Sequence, residues 1–162
     1  MGDTVYYCGG YWDEMGYKTM PGLLGRHEYQ IDAKGRVSLP SAFRRAVSNN
    51  PLVLLQWQDS HLDLFPDETW REIRKNLLSH RKARRDRGAY LRRITAAATD
   101  VEPDKHGRIR IPDWLRDRIG LTDTVLFIGA LDRIELWHPD RFQAHLDETD
   151  AGDDDFAAQI FG

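Results

Sequence analysis

The sequence contains a single cysteine and no long apolar segment. Cys8 is the only cysteine in 162 residues, which excludes an internal disulfide framework and favours a reducing compartment. No apolar run approaches the roughly 20 residues that a membrane-spanning helix needs. The first residues also lack the basic start and apolar stretch of a secretory signal. We therefore expect a cytoplasmic protein that does not act at a membrane.

Motifs that support catalysis or metal binding are missing as well. The six histidines are scattered, and none forms the His-x-x-x-His pair that places two metal ligands on one helix face. Asp100, Glu102 and Asp104 alternate along the chain, but a solvated strand that leads into a turn explains them as well as a divalent-cation site does. There is no glycine-rich phosphate loop or nucleophile elbow. We predict no enzyme activity, cofactor, metal or small-molecule substrate.

Net positive charge is absent overall, yet the charges are unevenly distributed. The formal net charge is −3, and six acidic residues crowd the C-terminal end: Asp147, Glu148, Asp150, Asp153, Asp154 and Asp155. Residues 71–93 are instead strongly basic. The local field steers a charged partner more than the total charge does. The basic segment is therefore either a solvated connecting helix or a surface that contacts phosphates.

A tandem duplication is what the sequence does contain. Residues 32–40 and 104–112 share the pattern Asp-x-x-Gly-Arg-(Val/Ile)-x-(Leu/Ile)-Pro, 72 residues apart. The same offset aligns further positions: Phe43 with Leu115, Val47 with Ile119, Val53 with Val125, Leu62 with Ile134, and Phe65 with Trp137. Self-similarity over this distance indicates two copies of one structural unit. Each copy is short for independent folding, so we expect a shared core.

The duplication predicts five segments in a mainly β protein with short helices, of the α+β class. Residues 1–22 have no helical or strand period and are predicted to be a flexible extension. Residues 23–70 form the first repeat, 71–97 a longer basic helical linker, and 98–147 the second repeat. Residues 148–162 are predicted to be an acidic disordered tail.

Each repeat is predicted to contain a tight turn between two strands. Asp32 and Asp104 occupy the first position of a type I turn, where the carboxylate can accept backbone N–H groups. Gly35 and Gly107 supply the positive φ that a following bulge requires. A short helix should follow each second strand, with Ser41 and Asp113 as its N-cap residues.

The exposed residues of these turns are the candidate binding residues. Arg36 and Arg108 alternate with apolar neighbours, so they should point away from the core. The turn itself does not require an arginine there, and a planar, permanently charged fork suits phosphate or guanine. Lys34 and Lys105 add positive charge to each loop. The predicted nucleic-acid-binding residues are therefore Arg36, Arg108, Lys34 and Lys105.

The segment from Leu24 to about Asp147, beginning L-L-G-R-H-E-Y-Q-I-D-A-K-G-R-V-S-L-P, closely resembles the MraZ family of bacterial transcriptional regulators, which have two tandem AbrB/SpoVT-like domains. Both Asp-x-x-x-Arg motifs are intact. The resemblance implies swapped-hairpin repeats that form one pseudo-dimeric β-barrel, and assembly into a homo-oligomeric ring. It also implies a nucleoid-associated regulator, more often a repressor, that binds repeated G-rich DNA boxes upstream of the division and cell-wall gene cluster.

A second class of function stays open at this point. An AbrB-type antitoxin or protein-interaction module would bind a protein partner through its tail. The tail here is short and acidic, with Phe156, Ile160 and Phe161 as its apolar residues. Recovery of one stoichiometric protein partner without DNA affinity would favour this alternative.

Overall fold

The computed structural model describes residues 11–12, 18–19, 23–47, 51–83, 87–149 and 159–160. Within these ranges the chain forms ten strands and five helices. The strands are β1 (Tyr11–Trp12), β2 (Lys18–Thr19), β3 (Leu23–Gln30), β4 (Arg36–Ser38), β5 (Leu52–Leu55), β6 (His61–Phe65), β7 (Ala98–Val101), β8 (Arg108–Arg110), β9 (Thr124–Leu131) and β10 (Ile134–Trp137). The helices are α1 (Ser41–Val47), α2 (Asp67–Ala83), α3 (Gly88–Ala96), α4 (Asp113–Ile119) and α5 (Pro139–Thr149).

The order of elements repeats along the chain. The first copy runs β3–β4–α1–β5–β6–α2, and the second runs β7–β8–α4–β9–β10–α5, with α3 between them. This order confirms the duplication and the α+β class. Barrel closure and the swapped-hairpin description stay predictions, as do the five segment boundaries.

The two copies are interleaved in one antiparallel six-stranded sheet. Its strand order is β3-β9-β10-β6-β5-β7, so the first strand of each copy pairs with a strand of the other copy. Exchanging the copies maps this order onto itself, and the pseudo-twofold axis therefore passes between β6 and β10. Because β3 pairs with β9, β6 with β10, and β5 with β7, the copies share backbone hydrogen bonds as well as their core.

A second, two-stranded ribbon crosses the same axis. β4 pairs with β8, with Val37 opposite Ile109. Both residues are buried, and so are Leu39 and Ile111 beyond the strand ends. They join one core cluster with residues of the six-stranded sheet and of helices α1 and α4. The ribbon is thus attached to the core by its inner face, and its outer face is left to polar residues.

The segment between the copies differs from the prediction of one basic helix. It contains two helices, α2, which begins at Asp67, and α3. Ile94 of α3 packs in the same apolar cluster as Trp70 and Leu77 of α2. A straight helix of about 30 residues would be about 45 Å long. It could not bring both ends to one cluster, so burial of the apolar side chains favours two helices.

Helix starts also differ from the prediction in one detail. Asp113 was expected to be the N-cap of α4, but Pro112 occupies that position and no side chain caps the helix. Asp113 is the first helical residue and instead pairs with Arg116, one turn further on. The α1 helix likewise begins at Ser41, and the Pro40 carbonyl accepts hydrogen bonds from the N–H groups of Phe43 and Arg44. Gly120 ends α4 with a φ of 68°, in the left-handed conformation that glycine adopts readily.

The predictions for the chain ends fall largely outside the described residues. Between residues 1 and 22 the structure describes β1 and β2, which pair antiparallel. Within 148–162 it describes the end of α5 and residues 159–160. The expected flexibility and disorder of these segments stay predictions. In the described part of the chain, no helix has the length and apolar character needed to cross a membrane.

Candidate nucleic-acid interface

The two turns that the motif predicts have nearly identical geometry. The Gly35 N–H donates to the Asp32 carbonyl at 2.9 Å, and the Gly107 N–H donates to the Asp104 carbonyl at 2.8 Å. Gly35 and Gly107 have φ values of 74° and 73°. This is a type I turn followed by a glycine in the left-handed region, as the sequence predicted. Each copy therefore presents the same rigid loop.

The aspartate of each turn accepts hydrogen bonds from the loop backbone. Asp32 Oδ1 accepts from the N–H groups of Lys34 and Arg36, each at 2.9 Å. Asp104 Oδ1 accepts from His106 at 2.8 Å and Arg108 at 3.0 Å. These bonds fix the path of the loop, and the lysine side chains at its tip, Lys34 and Lys105, belong to exposed residues.

The arginine of each motif closes its own turn. Arg36 Nε lies 2.7 Å from Asp32 Oδ2, and Arg108 Nε lies 2.9 Å from Asp104 Oδ2. The expectation that the turn does not require an arginine was therefore wrong, because the turn uses Nε of that side chain. Arg36 and Arg108 keep 34% and 31% of their side-chain surface exposed. Each guanidinium is thus held in one orientation while part of it faces solvent.

The hydrogen bonds of the turn lower the pKa of both carboxyl groups. The Arg36 backbone N–H is the largest cause for Asp32, and its side chain adds to the effect. For Asp104, the Arg108 backbone N–H, then the His106 N–H and the Arg108 side chain, lower the pKa from 3.8 to about 2. Both carboxylates are therefore charged at neutral pH, which keeps the arginine contacts in place.

The ribbon brings the two turns onto one surface. Ile111 N–H donates to the Gly35 carbonyl at 2.9 Å, and Leu39 N–H donates to the Gly107 carbonyl at 3.0 Å. Each turn is thus hydrogen-bonded to the strand end of the other copy. Arg36 and Arg108 become diagonal neighbours on the outer face of the ribbon, a spacing of about 7–8 Å. Arg36 and Arg108 therefore lie on one face of the ribbon, whereas Lys34 and Lys105 belong to turns at its opposite ends.

Arg110 is a ribbon residue that the sequence analysis missed. It is exposed and lies directly opposite Arg36 in the β4–β8 register. Like charges in this position repel each other, so the pair favours an anionic partner. The offset of the repeats aligns Arg110 with Ser38, so Arg110 is not among the residues that the two copies share. Only the antiparallel register reveals that it faces Arg36.

Two helix arginines were missed as well. A Cβ added to Gly107 would lie 2.5 Å from Arg44 Cδ, and one added to Gly35 would lie 3.4 Å from Arg116 Nε. Arg44 and Arg116 are equivalent positions of α1 and α4, so each turn is contacted by an arginine from the other copy. The repeat offset aligns these two arginines in the sequence, and that signal could have identified them.

Comparison of the sequence with known proteins identifies a family that also has two copies of one unit. The model of the family described as "MraZ protein, putative antitoxin-like" matches residues 23–92 and 94–160. The chain belongs to the MraZ family. The Bifidobacterium longum "Transcriptional regulator MraZ" is 35% identical over 140 residues, which cover 86% of this chain and 93% of the relative. The relative of the same name from Thermoanaerobacter sp. is 33% identical over 138 residues, covering 85% and 96%.

A third relative, "Transcriptional regulator MraZ" of Saccharopolyspora erythraea, is 35% identical over 126 residues, covering 78% of this chain and 87% of the relative. The two matched segments of the MraZ model each contain one of the turns described above. The family match therefore covers both copies of the duplicated unit, including the turns that carry Arg36 and Arg108.

Proposed function

We propose that this chain is a sequence-specific transcription regulator that binds double-stranded DNA through the outer face of the β4–β8 ribbon. The observation that carries the proposal is the convergence of cations from both copies on two symmetric turns. The residues are Arg36, Arg108, Arg110, Arg44, Arg116, Lys34 and Lys105. Within the described chain, this ribbon brings arginines into direct cross-strand opposition. The family relatives bear the name of transcriptional regulators, which supports the proposal.

The ribbon has a shape that suits the major groove of DNA. That groove admits a two-stranded β-ribbon, and arginine bound to guanine O6 and N7 is its commonest specific contact. The ion pairs of Arg36 and Arg108 orient each guanidinium before DNA arrives, so less side-chain freedom is lost on binding. In this proposal the arginines of the ribbon contact bases, and Lys34 and Lys105 contact phosphates.

The finer parts of the function rest on the family resemblance. We infer that the DNA target is a set of repeated G-rich boxes upstream of the division and cell-wall gene cluster, and that binding represses transcription there. We also infer a homo-oligomeric ring that presents several ribbons at fixed separations. One ribbon makes a small contact, and repeated boxes would convert several weak contacts into tight binding.

The test replaces Arg110 with serine, the residue that the first copy has at the equivalent position. The Arg110→Ser chain should fold normally, since exposed substitutions usually change stability by about ±0.5 kcal/mol. Its affinity for a G-rich duplex from the promoter region should fall by about 1–3 kcal/mol, with weaker discrimination against a scrambled duplex. Fluorescence anisotropy measures both affinities.

Arg74→Ser is the matched control because it removes the same charge from an exposed position on α2. It should leave the discrimination between the two duplexes unchanged. Arg36→Ala is informative only when its melting temperature is measured too, since it also removes the contact to Asp32. If Arg110→Ser and a folded Arg36→Ala both keep full affinity and discrimination, the ribbon is not the reading surface.

The family description favours one second candidate, an antitoxin-like module that binds a protein. This function predicts that a tagged full-length chain recovers one stoichiometric protein partner from its own host. It also predicts no preference between G-rich and scrambled duplexes. If the chain prefers the G-rich duplex and the Arg110→Ser variant loses that preference, the result argues against the protein-binding function.

A further inference from the structure

The outer face of the central strand pair carries two carboxylates in direct opposition. In the antiparallel β6–β10 pair, Asp63 lies opposite Glu135. The Asp63 side chain is 1% exposed and that of Glu135 is 23% exposed. Two like charges at such positions destabilise a sheet, and the effect grows when water is excluded. A positive charge beside the pair would relieve this repulsion.

His61 directs one ring nitrogen at both carboxylates. Its Nε2 lies 3.6 Å from Asp63 Oδ1 and 3.8 Å from Glu135 Oε1. Each of the three residues offers one ligand atom, and these atoms lie within 4.8 Å of one another. In a tetrahedral site with bonds of about 2.0–2.2 Å, ligand atoms are about 3.3–3.6 Å apart. Small side-chain movements would bring the three atoms to that spacing.

Asp63 Oδ1 is the second observation. This oxygen is buried and has no hydrogen-bond partner in the described part of the chain. A buried carboxylate oxygen without a partner is costly, because the hydrogen bonds that it makes in water are not replaced. The unsatisfied atom is the one closest to His61 Nε2, so it points to a missing ligand at that place.

The far side of each of the three groups is already held by a neighbour. Trp57 Nε1 donates to Asp63 Oδ2, and Trp137 Nε1 donates to Glu135 Oε2 at 2.8 Å. Ser60 Oγ lies 2.8 Å from His61 Nδ1, which leaves Nε2 available to a ligand. Metal sites are typically built in this way, with outer partners that orient each ligand and fix the imidazole tautomer.

The nearby arginine does not take the place of the missing cation. Arg133 is the equivalent of His61 in the second copy, and its guanidinium lies 4.9 Å from the centre of the Phe65 ring. Hydrogen bonding to Asp132 is the main reason that its pKa is raised, and Asp63 and Glu135 contribute less. Arg133 Nε is 2.9 Å from Asp132 Oδ1. The permanent cation is thus directed to an exposed carboxylate outside the pair.

We propose that His61 Nε2, Asp63 Oδ1 and Glu135 Oε1 bind a divalent transition-metal ion of the zinc type. One imidazole and two carboxylates suit zinc or cobalt better than calcium or magnesium, which prefer all-oxygen sites. A fourth position faces a cavity of about 520 Å³ that side chains of α5 also line, including His145 and Leu146. The ion would join β6 of the first copy to β10 of the second. This site departs from the sequence analysis, which predicted no metal.

The experiment uses the full chain after treatment with a chelator, with Zn²⁺ and Co²⁺ as the only probes. Equilibrium dialysis should give one Zn²⁺ per chain, and Co²⁺ should give visible d–d bands without a thiolate charge-transfer band. Zn²⁺ should also raise the melting temperature, since an ion that binds only the folded state stabilises it. Glu135→Gln and Asp63→Asn, which keep the side-chain shape, should each weaken Zn²⁺ binding at least tenfold.

Two control variants are expected to retain wild-type Zn²⁺ binding. His145→Gln removes a potential ligand that lines the same cavity but lies outside the proposed set. Cys8→Ser removes the only thiol. Glu135→Gln decides the outcome if Asp63→Asn does not fold, because the Glu135 side chain is partly exposed. The proposal is overturned if the wild type binds no Zn²⁺ at micromolar concentration, if folded Glu135→Gln binds as the wild type does, or if a control abolishes binding.

Discussion

At the scale of single residues, each arginine of the duplicated motif combines a contact within its turn with a proposed role in DNA binding. Nε of Arg36 and of Arg108 closes a turn by bonding the aspartate four residues earlier. The rest of the guanidinium is partly exposed and is the part that we propose to bind DNA. The group proposed to bind DNA is therefore positioned by the same contact that stabilises its loop.

The lowered pKa of Asp104 predicts how acid affects this turn. A carboxyl group whose pKa is lower in the folded than in the unfolded chain stabilises the fold fully above its unfolded-state pKa. That contribution is lost as the pH falls through the folded-state pKa. For Asp104 this window lies between 3.8 and about 2. A carbon-detected NMR titration should find this carboxyl titrating near the lower value.

Urea unfolding of Asp104→Asn provides the control, since this variant has no charge to lose at that position. The wild type should exceed it in stability at pH 5, and the difference should shrink steadily as the pH is lowered towards 2. Titration of Asp104 at about 3.8, or a stability difference that is independent of pH, would contradict the role of the backbone N–H groups.

At the scale of elements, each turn depends on a glycine for two separate reasons. Gly107 has a φ of 73°, a conformation that costs other residues about 1–2 kcal/mol. A side chain there would also collide with Arg44. We predict that Gly107→Ala lowers the free energy of unfolding by about 1–2 kcal/mol in urea denaturation. It should also weaken DNA binding, because Arg44 must move.

Gly88→Ala is the matched control for this prediction. Gly88 is helical, and an added Cβ would be 3.4 Å from the flexible end of Arg92. Alanine is favoured over glycine in helices by up to about 1 kcal/mol. The control should therefore be neutral or slightly more stable and should keep DNA affinity. A Gly107→Ala chain as stable as the wild type would show that the turn tolerates a side chain.

At the scale of the whole molecule, the interleaved sheet makes the two copies interdependent. β3 pairs with β9 along its full length, and β5 pairs with β7. The core likewise draws buried residues from both copies. We predict that chains 23–97 and 98–149, expressed separately, do not fold as monomers.

Cooperative melting should return when the two half-chains are mixed or when two identical half-chains associate. Circular dichroism measures the melting transition, and light scattering measures the association. The intact chain is the reference for the melting transition. A half-chain that is monomeric and still melts cooperatively would mean that the copies are independent domains.

The proposed ring leads to a prediction about DNA with several sites. Affinity should rise when a duplex carries two or three boxes in phase instead of one, because later contacts become intramolecular. Spacers lengthened by half a helical turn should remove this gain. A plot of the logarithm of the affinity against the logarithm of the salt concentration should have a slope of about −0.9 for each phosphate contact. Equal affinity across the series, or a monomer at micromolar concentration by light scattering, would exclude the ring mechanism.

Local sequence patterns are enough to specify the repeat and the turns. The offset between Asp32 and Asp104, the glycines three residues later and the alternating apolar residues that follow are local patterns. Backbone geometry acts within a few residues, so such patterns specify the turns, the strands and the α+β class without tertiary information. The family resemblance followed from the same residues.

Which strands pair, and which side chains meet across them, depends on the tertiary structure. Arg110 faces Arg36, and Asp63 faces Glu135, through strand registers that join residues far apart in the sequence. The fold of the linker into two helices was likewise decided by burial of Ile94 beside Trp70. The physical reason is that burial and cross-strand pairing depend on partners that local sequence does not specify. The proposed DNA surface and the proposed metal site both consist of such long-range pairs.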